Sequence, residues 1–435
     1  MFKYFLCFVF PIFCFGGLQA QSPRDTVRLD EDWLTVMDES DSSLYKGFHL
    51  DNFEDLSTWK QVDVPHNWDQ YGGYRRQIHG NIHGYAWYRK TFKVNQQSTD
   101  KRFYLFFEGV GSYATVWLNG KKVGFHAGGR TTFTLDVTDA VYTDGRRNIL
   151  AVRADHPANI RDLPWVDGGC STERGFSEGS QPLGIFRPVS LIVKNQVNIT
   201  PFGPHYWNDE TINEKKTTIH QTVEVRNTTS TNRALTLKTT VRDRSGKIVA
   251  QSSDEKAILP YVTQEVMLQD LNISSPHLWS IEDPYLYAIE TEIWESQVLL
   301  DREVTPYGIR TVRWPKGLKP VGENTLLVNN NPVFIHGIAE YEHKLGNSHA
   351  FSDQEILARV RDMKAMGFNS FRDAHQPHNL RYQHYWDQHG VLLWTQMAAH
   401  IWFDTPAFRE NFKTLLKDWV KERRNSPSVF LWGLE

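Results

Sequence analysis

Hydrophobic positions along this chain follow two rhythms in succession, and the change between them lies near Val312. From about Arg28 to Lys194 the apolar runs are short and β-like: Arg102 to Phe107, Ala114 to Leu118, Phe133 to Val137, Asn148 to Ala154 and Val189 to Val193. Phe133-Thr-Leu-Asp-Val137 alternates apolar and polar side chains, as a strand with one buried face does. Asn119-Gly120, before Lys121-Lys-Val-Gly124, is a tight-hairpin signal, since both residues tolerate positive φ. No helical period of useful length appears, and many short strands punctuated by Gly and Pro predict a jelly-roll sandwich over residues 21–197. Residues 198–312 continue in strands, with alternation over Thr218 to Val225 and Ala234 to Val241, then a strand over Tyr285 to Trp294. Roughly seven strands in about 115 residues predict an immunoglobulin-like sandwich, and the lack of a Cys-Trp-Cys framework excludes the antibody type.

Beyond Val312 strands and helices take turns. Val333 to Ile338 reads as an apolar strand. Ser352-Asp-Gln-Glu355 is a capping box opening a helix with Ile356, Leu357, Val360, Met363 and Met366 on one face. A strand at Phe368 to Phe371, a helix over Leu380 to His389 and a strand at Val391 to Trp394 follow. Pro406 starts a helix with Phe408, Phe412, Leu415, Leu416 and Trp419 inward, and Val429 to Leu434 closes the series as a buried strand. This order implies a parallel sheet with right-handed crossovers. A closed (β/α)8 TIM barrel takes ~250 residues, so residues 313–435 predict about half of one, truncated. The fold class expected is therefore multidomain: two β-sandwiches followed by an α/β half barrel.

Composition narrows the function. Hydrophobic residues are 40% and charged residues 23% of the 435, and the net charge of −3 gives no electrostatic case for nucleic acid or acidic membranes. Fifteen Trp beside 17 Tyr and 25 Phe suits stacking on sugar rings, although most such residues serve packing. Lys3, the apolar stretch from Tyr4 to Leu18 and the small Ala20 read as a signal peptide over residues 1–20, cleaved near Ala20, which predicts a periplasmic or secreted protein. The apolar run is too short and interrupted to span a membrane. Cys7 and Cys14 leave with it, so Cys170 remains alone without a disulfide partner or a catalytic one. Asn198, Asn227 and Asn272 head glycosylation-type triplets and are expected to mark surface polarity. The irregular stretch from Asp155 to Arg187 is either a surface loop or an arm reaching another domain's pocket.

In a βα barrel the strand tips converge on one mouth. They deliver Glu340, Tyr341, Glu342 and His343 from the first strand, Arg372, Asp373 and His375 from the second, Gln396 and then His400-Ile-Trp402 from the third, and Glu435 from the fourth. Such a carboxylate-rich, aromatic-rimmed mouth suits glycoside chemistry, in which one acid protonates the leaving oxygen and a carboxylate ~5–5.5 Å away attacks. Glu342 has the alternative of an ion pair with Arg372. His375-x-x-His378 lacks a third ligand at zinc spacing, so no metal or other cofactor is expected.

With these residues in view the chain resembles glycoside hydrolase family 2, the β-galactosidase, β-glucuronidase and β-mannosidase group. Val64-Pro-His-Asn-Trp68, Trp87-Tyr-Arg-Lys-Thr-Phe92, Val116-Trp-Leu-Asn-Gly120 and Gly184-Ile-Phe-Arg-Pro188 resemble its sugar-binding domain. His277-Leu-Trp-Ser280, Asp283-Pro-Tyr-Leu-Tyr287 and Tyr307-Gly-Ile-Arg310 resemble its immunoglobulin-like domain, and Met366-Gly-Phe-Asn369 with Phe371-Arg-Asp-Ala-His375 its second barrel strand. The resemblance implies an exported, retaining exo-β-glycosidase acting on oligo- or polysaccharides. It also implies that Arg372 and His375 orient the glycone, that Glu342 and His343 border the same subsite, and that Asp373 and His400 are lesser contacts. In the family pattern the acid/base Glu lies five residues after the strand-four Trp. After Trp432 that position falls beyond Glu435, which is a neighbour or a substitute, and the nucleophile would come from a later strand. The family's Asp-Glu after strand three is Thr395-Gln396 here, and its Asn-Arg-His after strand one is Ala339-Glu340-Tyr341. The rival reading is a non-catalytic carbohydrate-binding protein.

Overall fold

The computed structural model describes residues 23–38, 41–69, 82–95, 100–158, 160–164, 182–210, 212, 215–315, 325–342, 349–398 and 403–434. The leader around Ala20, Cys170, His343, His400 and Glu435 lie outside the described residues.

The first unit stacks two antiparallel sheets. One runs β1 (Asp25–Arg28), β10 (Val189–Asn195), β5 (Lys101–Phe107), β8 (Phe133–Asp136). The other runs β3 (Lys60–Val62), β2 (Trp33–Met37), β4 (Gly84–Asn95), β9 (Asp144–His156), β6 (Tyr113–Leu118), β7 (Lys121–Ala127). Inward residues of both, among them Trp33, Tyr88, Leu105, Val116 and Leu191, form one core. Asn119 and Gly120 take positive φ between β6 and β7, the hairpin that the dipeptide predicts. One feature escapes the alternation. The helical turn α1 (Ser43–Lys46) and the segment after it cover the outer face of the six-stranded sheet, packing Phe48, Phe53 and Trp59 on stacked Trp87 and Trp117.

The second sandwich pairs β13 (Lys216–Asn227) with β11 (Val197–Ile199), β12 (His205–Asn208), β16 (Val262–Met267) and β17 (Leu271–Ser274). Its other sheet runs β15 (Ile248–Ile258), β14 (Arg233–Arg242), β18 (Tyr287–Glu295), β19 (Val298–Tyr307). Asn198 and Asn227 correct the expectation of surface polarity. Both are buried, and the Asn227 amide donates to the carbonyls of Thr231, Ile258 and Leu259, tying a turn to a strand end.

A three-stranded hairpin sheet, β20 (Val312–Arg313), β21 (Leu326–Val328) and β22 (Asn331–Val333), leads into four parallel strands in sequence order. These are β23 (Gly337–Glu340), β24 (Ser370–Asp373), β25 (Leu392–Gln396) and β26 (Val429–Gly433). Between them run α2 (Asp353–Ala365), α3 (Leu380–His389) and α4 (Pro406–Arg423). The Ser352–Glu355 capping box forms as read, and Ile356, Val360 and Met363 of α2 pack with Tyr382 and Trp386 of α3 on Phe371 and Leu393. Three expectations need correction. The run Val333 to Ile338 is not one strand: β22 ends at Val333, β23 starts at Gly337, and Phe334 between them is 75% exposed. Met366 caps α2 and is exposed instead of joining its buried face. In β26, Val429 is buried but Trp432 is exposed, although a register shift sets it opposite Thr395 and its ring meets Trp419 of α4 edge-on at 4.8 Å.

Candidate functional site

The period of two in a strand decides which side chains reach the mouth. Along β24, Phe371 packs among the helices, and Asp373, two residues on, shares its side. Arg372 between them faces the other way. Along β25, Leu393 and Thr395 share the helix side, while Trp394 and Gln396 lie beside Arg372.

Arg372 is half-buried. Its Nε donates to Gln396 Oε1 at 2.8 Å, its Nη2 lies 3.2 Å from His375 Nδ1, and its guanidinium sits 4.5 Å above the Trp394 ring. Tyr341, just past β23, brings its hydroxyl to 3.3 Å from His375 Nε2. Two further donors converge here without acceptors among the described residues: the buried Nε2 of Gln396 and Nε1 of Trp394. Both lie against Gly433, where an added Cβ would come within 2.6 Å of the Trp394 nitrogen and 3.1 Å of the Gln396 one. Unanswered buried donors at an accessible arginine and histidine describe a surface made for oxygen-rich ligands.

The carboxylates are placed differently. Glu342 is 1% exposed, and its partners are Arg130 Nη1 and Arg187 Nη2, each 2.9 Å from Oε2, rather than Arg372. Its Oε1 accepts the Asn379 N–H at 2.6 Å. Burial alone would raise its pKa, but Arg187, His378 and Arg130 together hold it below the usual range. Asp373 is buried on the helix side. It accepts from Thr395 Oγ1 at 2.9 Å and lies 3.3 Å from His378 Nδ1, and burial holds its pKa above the ordinary value. Glu340 pairs with Arg359 of α2 at 3.0 Å, and burial raises it also. The structure thus brings Arg372 and His375 together and keeps Glu342 and Asp373 out of the mouth. His375 and His378 serve different sides and share no ligand position. Tyr341, Trp394 and Gln396 join the mouth; Tyr341 and Gln396 were legible as strand-tip residues, and strand parity with Arg372 would have added Trp394.

The segment after β9 does reach across domains. Ile160 and Leu163 pack with Met397, Leu415 and Trp419, and Asn411 of α4 donates to Asp162 O at 2.8 Å.

A jelly-roll-like sandwich, a second sandwich and parallel βα units with a polar mouth at the strand tips define the architecture of a multidomain glycoside hydrolase. Three models of one family match the chain in succession: the sugar binding domain of glycosyl hydrolases family 2 over residues 28–195, the family 2 model over 205–310, and its TIM barrel domain over 320–435. The chain belongs to glycosyl hydrolases family 2. It is 28% identical over 431 residues to a β-galactosidase of Bacteroides ovatus, covering 95% of this chain and 46% of that protein. It is 26% identical over 438 residues to a putative β-glucuronidase of Formosa agariphila, covering 97% and 38%. The fold matches a β-glycosidase structure from Bacteroides vulgatus with TM-score 0.78 and 25% identity over 94% of this chain and 50% of that one. The chain therefore spans about half the length, or less, of these relatives.

Proposed function

We propose that these residues form the glycone-binding side of an exported, retaining exo-β-glycosidase, β-galactosidase-like in its chemistry, that removes terminal sugars from oligo- or polysaccharides. The observation that carries the reading is the mouth itself: Arg372, His375 and Tyr341 around the unanswered N–H groups of Gln396 and Trp394. Sugar hydroxyls and ring oxygens supply the acceptors those donors lack, and Trp394 offers an apolar ring beside them. Retaining hydrolysis needs two carboxyl groups ~5–5.5 Å apart. Glu340, Glu342 and Asp373 are each engaged elsewhere, so we assign the acid/base and the nucleophile to chain beyond residue 435, in keeping with relatives about twice as long.

The test is kinetic. On the whole protein, Arg372→Met and His375→Ala should each lower kcat/KM for aryl β-glycosides on the order of 10²-fold while leaving the melting temperature nearly unchanged. Turnover indifferent to both substitutions would defeat the assignment. Retained glycan binding without any turnover would instead establish the binding-protein reading. Export through the leader ending near Ala20 predicts a mature N-terminus at or near Gln21, read by mass spectrometry of protein from its source.

A further inference from the structure

We propose that Arg130 and Arg187, which belong to the first sandwich, are positioning residues for the barrel mouth and set His375 through Glu342. The kinetic arm of the proposal rests on the glycosidase reading; the geometric arm does not.

Both guanidinium groups are almost fully buried, and both end on Oε2 of one carboxylate in another domain. Two buried cations are a costly way to glue surfaces, since apolar residues of similar volume would serve as well. Their contacts converge on one segment. Arg187 Nη2 also donates to Pro377 O at 2.8 Å, and the other oxygen of Glu342 receives the N–H of Asn379. On the barrel's own side, Arg423 holds His378 O at 2.8 Å and Ala398 N holds His375 O at 2.9 Å. The stretch 375–379 is thereby fixed at four backbone atoms, two of them by Arg187 and its partner carboxylate. Glu342 takes a left-handed φ of +52°, immediately after Tyr341, whose hydroxyl meets the His375 ring. Glu342 is therefore joined through its carboxylate to the segment that carries the His375 ring, and through the backbone to the residue that contacts that ring. Arg187 Nη1 donates to Arg130 O at 2.8 Å, and both guanidiniums lie beside the Phe186 ring, so each arginine helps to hold the other in place.

A purely adhesive role would leave His375 unchanged wherever the domains stay docked. Lys421→Met supplies that comparison, because the Lys421–Glu224 pair (2.6 Å) crosses another domain seam without touching the mouth. On the whole protein, the rate of carbethoxylation of His375 by diethyl pyrocarbonate, followed by mass spectrometry, should change several-fold in Arg187→Met and Glu342→Gln and stay at the wild-type value in Lys421→Met. Aryl β-glycoside kcat/KM should fall on the order of 10- to 100-fold in the first two, with Arg187→Lys recovering part of the loss. Wild-type labelling in folded Glu342→Gln would overturn the proposal even if Arg187→Met failed to fold, and so would an equal shift in Lys421→Met. Shifted labelling in a protein that turns over no glycoside would uphold the positioning and defeat the glycosidase reading alone.

Discussion

At Asp69 two backbone N–H groups, from Ile82 and Leu183, end on the two oxygens of a buried carboxylate. Burial pushes this acid up to about 7 from 3.8, against the lowering effect of those hydrogen bonds. A carboxyl whose folded pKa is raised favours the fold while it holds its proton. Its contribution is complete below about 4 and disappears as pH rises through about 7. The melting-temperature advantage of wild type over Asp69→Ala should accordingly shrink between pH 5 and pH 8; an unchanged gap across that range would contradict the assignment. Asp387, held by Ser426 Oγ and Ser428 N and raised to about 6 by burial, adds to the same slope. Single residues also show what the sequence could and could not disclose. Arg372 and His375 were readable from their motif. The engagement of Glu342 was not, because its partners lie 212 and 155 residues earlier in another domain, and only tertiary packing brings them near.

Elements were more legible than their faces. The helix over Leu380–His389 has the bounds its pattern predicts, and the caps at Ser352 and Thr405 form as their residue types require. Ser352→Ala removes the hydroxyl that accepts Glu355 N–H and should cost about 1 kcal/mol in denaturant unfolding. Runs with clean alternation, Phe133–Val137 and Thr218–Val225, lie within a few residues of β8 and β13, whereas β2, β15 and β19 carry no such mark, and a strand's bounds do not say which face a side chain takes. Arg372 and Asp373 are adjacent, so they cannot share a face of β24, and this alone removes Asp373 from the mouth. At Gly433 the close approach of β26 to Trp394 and Gln396 leaves no room for a methyl group. Gly433→Ala should cost about 1–3 kcal/mol by overpacking and also weaken saccharide binding, measured by titration calorimetry. The break after Val333 was not legible because an apolar run carries no mark of where it leaves a sheet; here Asn369 sets it, its side chain bonding Phe334 O and His336 N.

At the scale of the molecule, the order of two sandwiches and a βα sheet was readable from periodicity, whereas the seams were not. Arg310 at the end of the second sandwich donates to the carbonyls of Pro427, in the loop from α4 to β26, and of Val429 in β26, and a Cβ at Gly308 would fall 2.7 Å from Pro427. Glu422 of α4 accepts the Thr132 N–H of the first sandwich at 2.6 Å. Such seams predict one cooperative calorimetric transition. Arg310→Ala, which leaves two buried carbonyls without their donor, should split off a lower one. An unsplit, unshifted transition would show that this seam carries little coupling.

The shared carboxylate of Glu342 also imposes an order in time. A chain made from its N-terminus completes the first sandwich while Arg187 still awaits a partner 155 residues away. At ~5–20 residues per second that wait lasts about 8–30 s. Over that interval the two guanidiniums stand side by side with no Glu342 to neutralise them, and water must solvate both. The rim of the sandwich that ends nearest the mouth is thus the last part of the first-made domain to set, and it sets only when the barrel's opening strands arrive.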